Sequence, residues 1–331
     1  PMIEPLDALD MLWRLDDEVA EPGYYAASLD SGIRAELTVG PKSAVHRYAF
    51  PRHKDARIVV DLSLGGLAID HGRTVPMKAR LCVVGPGVVQ GEIVVEGVAL
   101  AVHIECSNRQ WRPMLFYDRR RMAGGSRLEF DSIRLTTLRT FGLMFVGPTE
   151  PDEQVELRLG FSLRGVEQAE ANLHRDCGDE APSFDRRRAE TTAAWKDHFD
   201  RIKVEGGTAD QRTVFATSLY HSLLKPCFAP DESPFWSTSK EFVFDLSTMW
   251  DLYKTQLPLL TLLAPDRAVE LVTALLSIKE EEGNFPIGYR MARAWEEVPQ
   301  ITIAAIEGYA IGGGLALATA LDWRVIADNA F

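Results

Sequence analysis

The sequence predicts a multidomain chain: an N-terminal antiparallel β-sandwich, a linker helix, an α/α toroid or helical bundle, and a short β-α-β tail. Three observations predict this order. Short runs rich in Val, Ile, Leu, Phe and Tyr fill residues 22–173 and are separated by Gly, Pro, Asp and Ser clusters. Helical periodicity dominates residues 184–282. After Met291 the pattern changes again, and two apolar runs flank a triple glycine.

Composition and charge limit the class of ligand. The chain has 331 residues, enough for two or three domains, and a formal net charge of −12. This charge argues against nucleic acid or an anionic membrane as a partner, and it suits a neutral ligand such as a sugar. No apolar stretch reaches the roughly 18 residues of a membrane span, and the acidic N-terminus does not resemble a signal peptide.

The cysteines do not indicate a metal centre. Cys82, Cys106, Cys177 and Cys227 lie far apart and form no C-x-x-C pair. We therefore predict from them neither a zinc site nor a disulfide framework, and the sequence assigns no metal ligand.

The strand-like runs come first. Ten of them lie between residues 23 and 163 without a convincing helix between them, which favours an antiparallel β-sandwich. The charged segment Phe184–Ile202 follows, with one apolar stripe at helical spacing formed by Thr192, Trp195, Phe199 and Ile202. We expect it to be a linker helix that packs this stripe against the sandwich.

Helix signals recur after the linker. Thr208 and Gln211 fit a capping box, which predicts a helix that runs to about residue 225 and stops at Pro226. Residues 230–244 resemble a loop and hairpin. A second helix is expected near Trp250, with a kink at Pro258.

A third helix is expected to begin after Pro265 and to span Ala268–Glu282, with Gly283 as its C-cap. Its last turn carries three consecutive glutamates. They are interpreted as a solvated helix end and not as catalytic groups: Glu280, Glu281 and Glu282.

The turn Met249-Trp250-Asp251 is the candidate binding site. An indole can cover the apolar face of a sugar ring, and a carboxylate beside it can accept hydrogen bonds from two hydroxyls. The alternative interpretation is a core Trp250 followed by Asp251 as a helix N-cap.

Several blocks in this order resemble glycoside hydrolase family 92, the calcium-dependent exo-acting α-mannosidases. They include DEVAEPGYYAASL (Asp17–Leu29), HRYAFP, MWDLYKTQLPLLTLLAPD and EEGNFPIGY, and they span about residues 17–291. The resemblance implies a β-sandwich joined to an (α/α)6 barrel, of which this chain would hold a part. It also implies inverting hydrolysis of an α-mannoside or a mannose-containing glycan, a calcium cofactor, and a periplasmic or secreted location.

The same resemblance implies that Trp250 and Asp251 lie at the mannose subsite. In this family the general acid, the general base and the calcium ligands come from later barrel helices, beyond the matched blocks. The catalytic residues therefore stay unknown, and we expect no turnover by this chain. Barrel helices without their neighbours would leave apolar faces uncovered, which predicts self-association.

The C-terminal segment Glu296–Phe331 resembles a different family, the enoyl-CoA hydratases/isomerases (crotonases), through IAAIEGYAIGGG. The resemblance implies that Gly313 offers its amide to a thioester oxyanion. Many members carry a catalytic Glu where this sequence has Ala316. Because its partner amide is not among these residues, Gly313 is interpreted in preference as part of a tight strand-to-helix turn.

These observations predict four segments: a sandwich domain over 1–176, a linker helix over 177–207, a partial barrel of mannosidase type over 208–292, and a crotonase-like fragment over 293–331. The junction near 291–295 is interpreted as a fusion of two coding fragments. Three functions stay open. They are an α-mannosidase that lacks its acid and base, an acyl-CoA enzyme, and a non-catalytic carbohydrate-binding sandwich.

Overall fold

A computed structural model describes residues 15–63, 78–95, 98–118, 120–121, 125–131, 140–224, 227–228, 231–233, 236–237, 243–245, 255–283, 303–306 and 323–326. The chain divides into two compact units, Pro1–Lys196 and Asp197–Phe331. The finer division into four segments stays a prediction.

Within the described residues, the first unit contains thirteen antiparallel strands. They are β1 (Leu15–Glu21), β2 (Tyr24–Leu29), β3 (Arg34–Val39), β4 (Ser43–Phe50), β5 (His53–Asp61), β6 (Lys78–Gly85), β7 (Val88–Val95), β8 (Val98–Cys106), β9 (Arg112–Tyr117), β10 (Arg120–Arg121), β11 (Arg127–Asp131), β12 (Phe141–Thr149) and β13 (Glu153–Ser162).

These strands form two sheets. The larger has the order β1-β2-β3-β4-β13-β8-β7-β6-β11, and the smaller has the order β10-β9-β12-β5. One hydrophobic core takes side chains from both, including Leu81 and Ile104 from the larger sheet and Leu115 and Leu143 from the smaller. The predicted antiparallel β-sandwich is therefore confirmed.

β13 is buried on both faces, because its side chains alternate between the sandwich core and the opposite face of the sheet. Val155, Leu157 and Leu159 enter the sandwich core, whereas Arg158 points to the opposite face and is also buried. That face is covered by helix α1 (Val166–Cys177). Gly160 makes the contact close, since a Cβ there would lie 2.2 Å from the carbonyl oxygen of Ala169.

The predicted linker helix is present as α2 (Phe184–Phe199), but its buried face differs from the expected stripe. Thr192 is exposed, Trp195 and Phe199 of the expected stripe are half-buried, and the fully buried residues are Phe184 and Thr191. The Thr191 hydroxyl donates a 2.5 Å hydrogen bond to the carbonyl oxygen of Val39. A polar contact with the sheet therefore fixes the rotation of the helix, which apolar spacing alone did not predict.

The second unit contains α3 (Ala209–Leu223), the hairpin strands β14 (Cys227–Phe228) and β15 (Val243–Asp245), and helices α4 (Gln256–Leu263) and α5 (Pro265–Glu282). The expected capping box of Thr208 and Gln211 is confirmed, with both reciprocal hydrogen bonds formed. The antiparallel pairing of β14 with β15 confirms the predicted hairpin.

Pro258 does not produce the kink that we expected in the middle of a helix. Because α4 begins at Gln256, the proline falls in the first turn, where a backbone N–H has no helical partner to lose. Gly283 caps α5 in the left-handed conformation, with φ of 82°, as predicted. Leu260 from α4 and Leu271 and Ile278 from α5 belong to the core of this unit.

The C-terminal segment contributes two strands, β16 (Ile303–Ile306) and β17 (Trp323–Ile326), which pair in parallel. Parallel strands need a crossover connection, in agreement with the expected β-α-β order, although the connecting residues lie outside the described ones. Within the described ranges, no helix is long and apolar enough to cross a membrane.

Candidate functional site

The residues that the sequence predicts to bind a ligand lie outside the described part of the chain. Trp250 and Asp251 fall between β15 and α4, and Gly313 falls between β16 and β17. Their roles stay predictions. Glu280, Glu281 and Glu282 are described and are exposed in the last turn of α5, as expected for a solvated helix end.

A buried cluster of ionisable groups lies between the larger sheet and α1. His103 and Glu105 lie two residues apart on one face of β8. Arg158 of β13 stands opposite Glu105, and Gln90 of β7 stands opposite His103. Each group is thus placed by strand register.

Helix α1 packs over this cluster and covers it on the side opposite the sandwich core. Glu170 and His174 are four residues apart and therefore share the helix face that covers β8 and β13. The amide of Asn172 anchors the helix by donating a 2.8 Å hydrogen bond to the carbonyl oxygen of Phe161.

Glu105 is the centre of the cluster. Its Oε1 lies 3.0 Å from Nε2 of His103 and 3.4 Å from Nε2 of His174. Its Oε2 lies 3.7 Å from Nη1 of Arg158 and 3.4 Å from Nη2 of Arg109. The imidazoles and the guanidinium groups therefore contact different oxygens of one carboxylate.

Burial opposes ionisation of Glu105, but its neighbours outweigh that effect. The hydrogen bond from His103 and the charge of Arg158 bring the pKa of the Glu105 carboxyl to about 2. The group is ionised at neutral pH and acts as an acceptor. His103 then carries its proton on Nε2, which leaves the lone pair of Nδ1 directed at Gln90.

Three of these side chains could hold a metal ion. One ligand atom from each of His103, Glu170 and His174 lies within 4.8 Å of the other two. Calcium prefers six to eight oxygen ligands, so a set with two imidazole nitrogens does not fit the calcium that the family resemblance implies.

Sequence reasoning did not find this cluster. Its local traces are H-x-E at residues 103–105 and E-x-x-x-H at residues 170–174. Each is common by itself, and only the pairing of β8 with β13 under α1 brings them together.

Family comparisons place most of the chain in one family. The glycosyl hydrolase family 92 N-terminal domain matches residues 6–111, and the family 92 catalytic domain matches residues 168–298. Together they cover more than half of the chain. The enoyl-CoA hydratase/isomerase family matches residues 285–331. The predicted junction at 291–295 falls where the last two matches overlap.

Solved structures agree with the fold. The family GH92 α-mannosidase BT3965 of Bacteroides thetaiotaomicron is 20% identical, with a TM-score of 0.66 over 83% of this chain and 38% of that one. The inverting mannosidase BT2199 of the same organism gives a TM-score of 0.68 over 85% of this chain and 38% of that one, also at 20% identity.

Curated relatives cover both segments. An uncharacterised secreted glycosidase of Arthroderma benhamiae is 27% identical over 264 residues, or 73% of this chain and 33% of the relative. The chain thus spans about a third of the length of that relative. A probable enoyl-CoA hydratase, EchA17 of Mycobacterium tuberculosis, is 46% identical over 66 residues, or 20% of this chain and 24% of the hydratase.

The family 92 domains match in sequence order, the sandwich and helices follow the fold of solved family 92 mannosidases, and the hydratase-like match is confined to the C-terminal part. The chain therefore belongs to glycosyl hydrolase family 92, and it carries a C-terminal segment of the enoyl-CoA hydratase/isomerase family.

Proposed function

We propose that this chain is the N-terminal part of a family 92 α-mannosidase and that its ligand is the terminal mannose of an α-mannoside. The ordered match to both domains of that family carries the proposal. A further structure of BT3965 is a complex with mannoimidazole, which supports a mannose-shaped ligand. The reaction proposed for the whole enzyme is inverting hydrolysis, which uses one carboxylic acid and one carboxylate base.

Trp250 and Asp251 would hold the sugar. The indole of Trp250 would cover the apolar ring face, and the carboxylate of Asp251 would accept hydrogen bonds from two hydroxyls. Both residues lie in the segment between β15 and α4, inside the match to the catalytic domain.

Calorimetric titration with methyl α-mannoside tests this assignment. Trp250→Ala is expected to weaken binding at least about tenfold, because burying an aromatic side chain against a ligand contributes about 1.5–3 kcal/mol. Asp251→Asn should weaken binding without changing the fold. Trp195→Ala on α2 serves as the matched control and should leave the affinity unchanged.

If Trp250→Ala binds methyl α-mannoside as tightly as the unaltered chain, the assigned site is wrong. The sandwich alone would then be the binder. The comparison needs no truncated protein, because Trp250→Ala and Trp195→Ala are two single variants of the whole chain.

An extracellular or periplasmic location is also part of the proposal. The Arthroderma benhamiae relative is described as secreted, which supports export of this family member.

We further propose self-association through α5. Val269, Val272 and Leu276 form a stripe along this helix and are 65%, 55% and 47% exposed. A second copy of the chain would cover this stripe. Sedimentation velocity should show a concentration-dependent dimer that Val272→Glu reduces and Val204→Glu, at an exposed valine outside this helix, does not. A monomer at all concentrations would contradict it.

The hydratase-like segment supports a second candidate, acyl-CoA binding. Its support is the family match and the parallel pair β16–β17. One backbone amide at Gly313 would bind a thioester oxyanion only weakly without a second donor. We therefore rank it below the mannoside.

A further inference from the structure

Gln90 marks a position between two acceptors beside the buried cluster. Its amide nitrogen Nε2 lies 2.9 Å from Nδ1 of His103 and 3.2 Å from Oε2 of Glu170. With a proton on Nε2, the His103 ring presents an electron pair at Nδ1, as the Glu170 carboxylate does at Oε2, and the amide N–H groups direct partial positive charge at both. A cation placed there would replace that weak charge with a full one.

His103 lies next to this position, and a carboxylate holds its other ring nitrogen, as is usual for metal-bound histidines. Nε2 of His103 faces the Glu105 carboxylate at 3.0 Å, which fixes the tautomer. The electron pair of Nδ1 now accepts from the Gln90 amide and would bind the ion once Gln90 withdraws. Arg158 and Arg109 contact the other oxygen of Glu105, so Oε1 is the oxygen that faces the two histidines.

α1 contributes the other two ligands from a fixed position. Glu170 and His174 project from one helix face, and the close approach at Gly160 holds that helix on β13. His103 is buried, whereas Glu170 and His174 are half-buried, so the group is reachable from solvent through the α1 side.

We propose that His103, Glu170 and His174 bind a divalent transition-metal ion of the zinc class. Two imidazole nitrogens and one carboxylate oxygen suit Zn²⁺, and the fourth position would take water. Ligands at zinc distances lie about 3.4 Å apart, so the group must contract from its present separation of up to 4.8 Å. The long Glu170 side chain can supply that movement as Gln90 withdraws.

The ion would join α1 to β8. Because the ligands come from a strand and a helix far apart in sequence, binding would stabilise the folded first unit through its affinity for the native state alone. This gain in stability does not depend on the sugar site proposed for the second unit.

The test is calorimetric titration of the whole, tag-free chain with ZnCl₂ near neutral pH, after dialysis against a chelator. We expect one tight zinc ion per chain. Glu170→Gln and His174→Gln should each weaken it at least about tenfold. His53→Gln removes an exposed histidine of the same unit and should leave the titration unchanged.

Circular dichroism shows whether the variants keep the fold, and Co²⁺ substitution supplies a second observation. A tetrahedral Co²⁺ spectrum that disappears in His174→Gln would support the site. Zinc binding that is absent, that is equally tight in His174→Gln and Glu170→Gln, or that an excess of Ca²⁺ displaces would overturn it.

Discussion

Replacing Glu105 by Gln is expected to lower the free energy of unfolding by about 3–5 kcal/mol at neutral pH. The change removes the negative charge that compensates Arg158, which is only 1% exposed. Nε and Nη1 of Arg158 make no hydrogen bond to another described residue, so the ion pair with Glu105 is what offsets burial of the guanidinium charge there.

The loss of unfolding free energy in Glu105→Gln should decrease as the pH is lowered. The pKa of Glu105 is about 2, below the 4.5 of an unperturbed glutamate, so the stabilisation is present above about pH 4.5 and declines as the pH falls towards 2. The difference between the unaltered chain and Glu105→Gln should therefore be largest at neutral pH and shrink in acid. Urea unfolding followed by circular dichroism at several pH values measures it.

Glu129 provides the matched control. Hydrogen bonds from Arg127 and Arg80 lower the pKa of its carboxyl too, but it is a surface group, where ion pairs contribute little. Glu129→Gln should leave the urea midpoint nearly unchanged. If the two variants lose equal stability, the buried charge pair is not what stabilises this part of the sandwich.

Replacing Trp111 by Ala is expected to cost about 3–5 kcal/mol as well, by a different mechanism. Trp111 is 1% exposed, packs against Phe50 with ring centroids 5.5 Å apart, and donates a 3.2 Å hydrogen bond to the carbonyl oxygen of Pro148. Its removal leaves a cavity in the sandwich core. Urea unfolding at neutral pH measures the loss.

Gly147 supplies a sharper form of this test. A Cβ at Gly147 would lie 2.3 Å from Cδ1 of Trp111, so Gly147→Ala should destabilise the unaltered chain by about 1–3 kcal/mol. In the Trp111→Ala background the ring is gone, and the same change should cost much less. Additive losses in the double variant would show that the contact between these two residues is not the cause.

The sheet was predictable to the extent that its strands are apolar. β12, with Phe141 and Phe145 buried, stands out in the sequence. β1 was missed because its acidic residues form an exposed edge strand without alternation. The boundary between β7 and β8 was not predictable, because the apolar residues around Val95 and Val98 are nearly continuous in the sequence.

Helix ends were predictable where the chemistry is local, as with the cap at Thr208 and the glycine at Gly283. The rotation of α2 was not predictable from the sequence. Thr191 is buried and Thr192 is exposed because the Thr191 hydroxyl donates a hydrogen bond to Val39, which is distant in sequence. The cluster around Glu105 was also not predictable, because its residues are distant in sequence. Glu105 and Arg158 meet only through strand register.

The most direct measurement of the central claim compares two ligands on one preparation of the whole chain. Titration calorimetry with methyl α-mannoside should give saturable binding, and the same titration with a short-chain acyl-CoA should show at most a weak response that does not saturate. Saturable acyl-CoA binding together with no response to the mannoside would contradict the assignment of this chain to mannoside recognition.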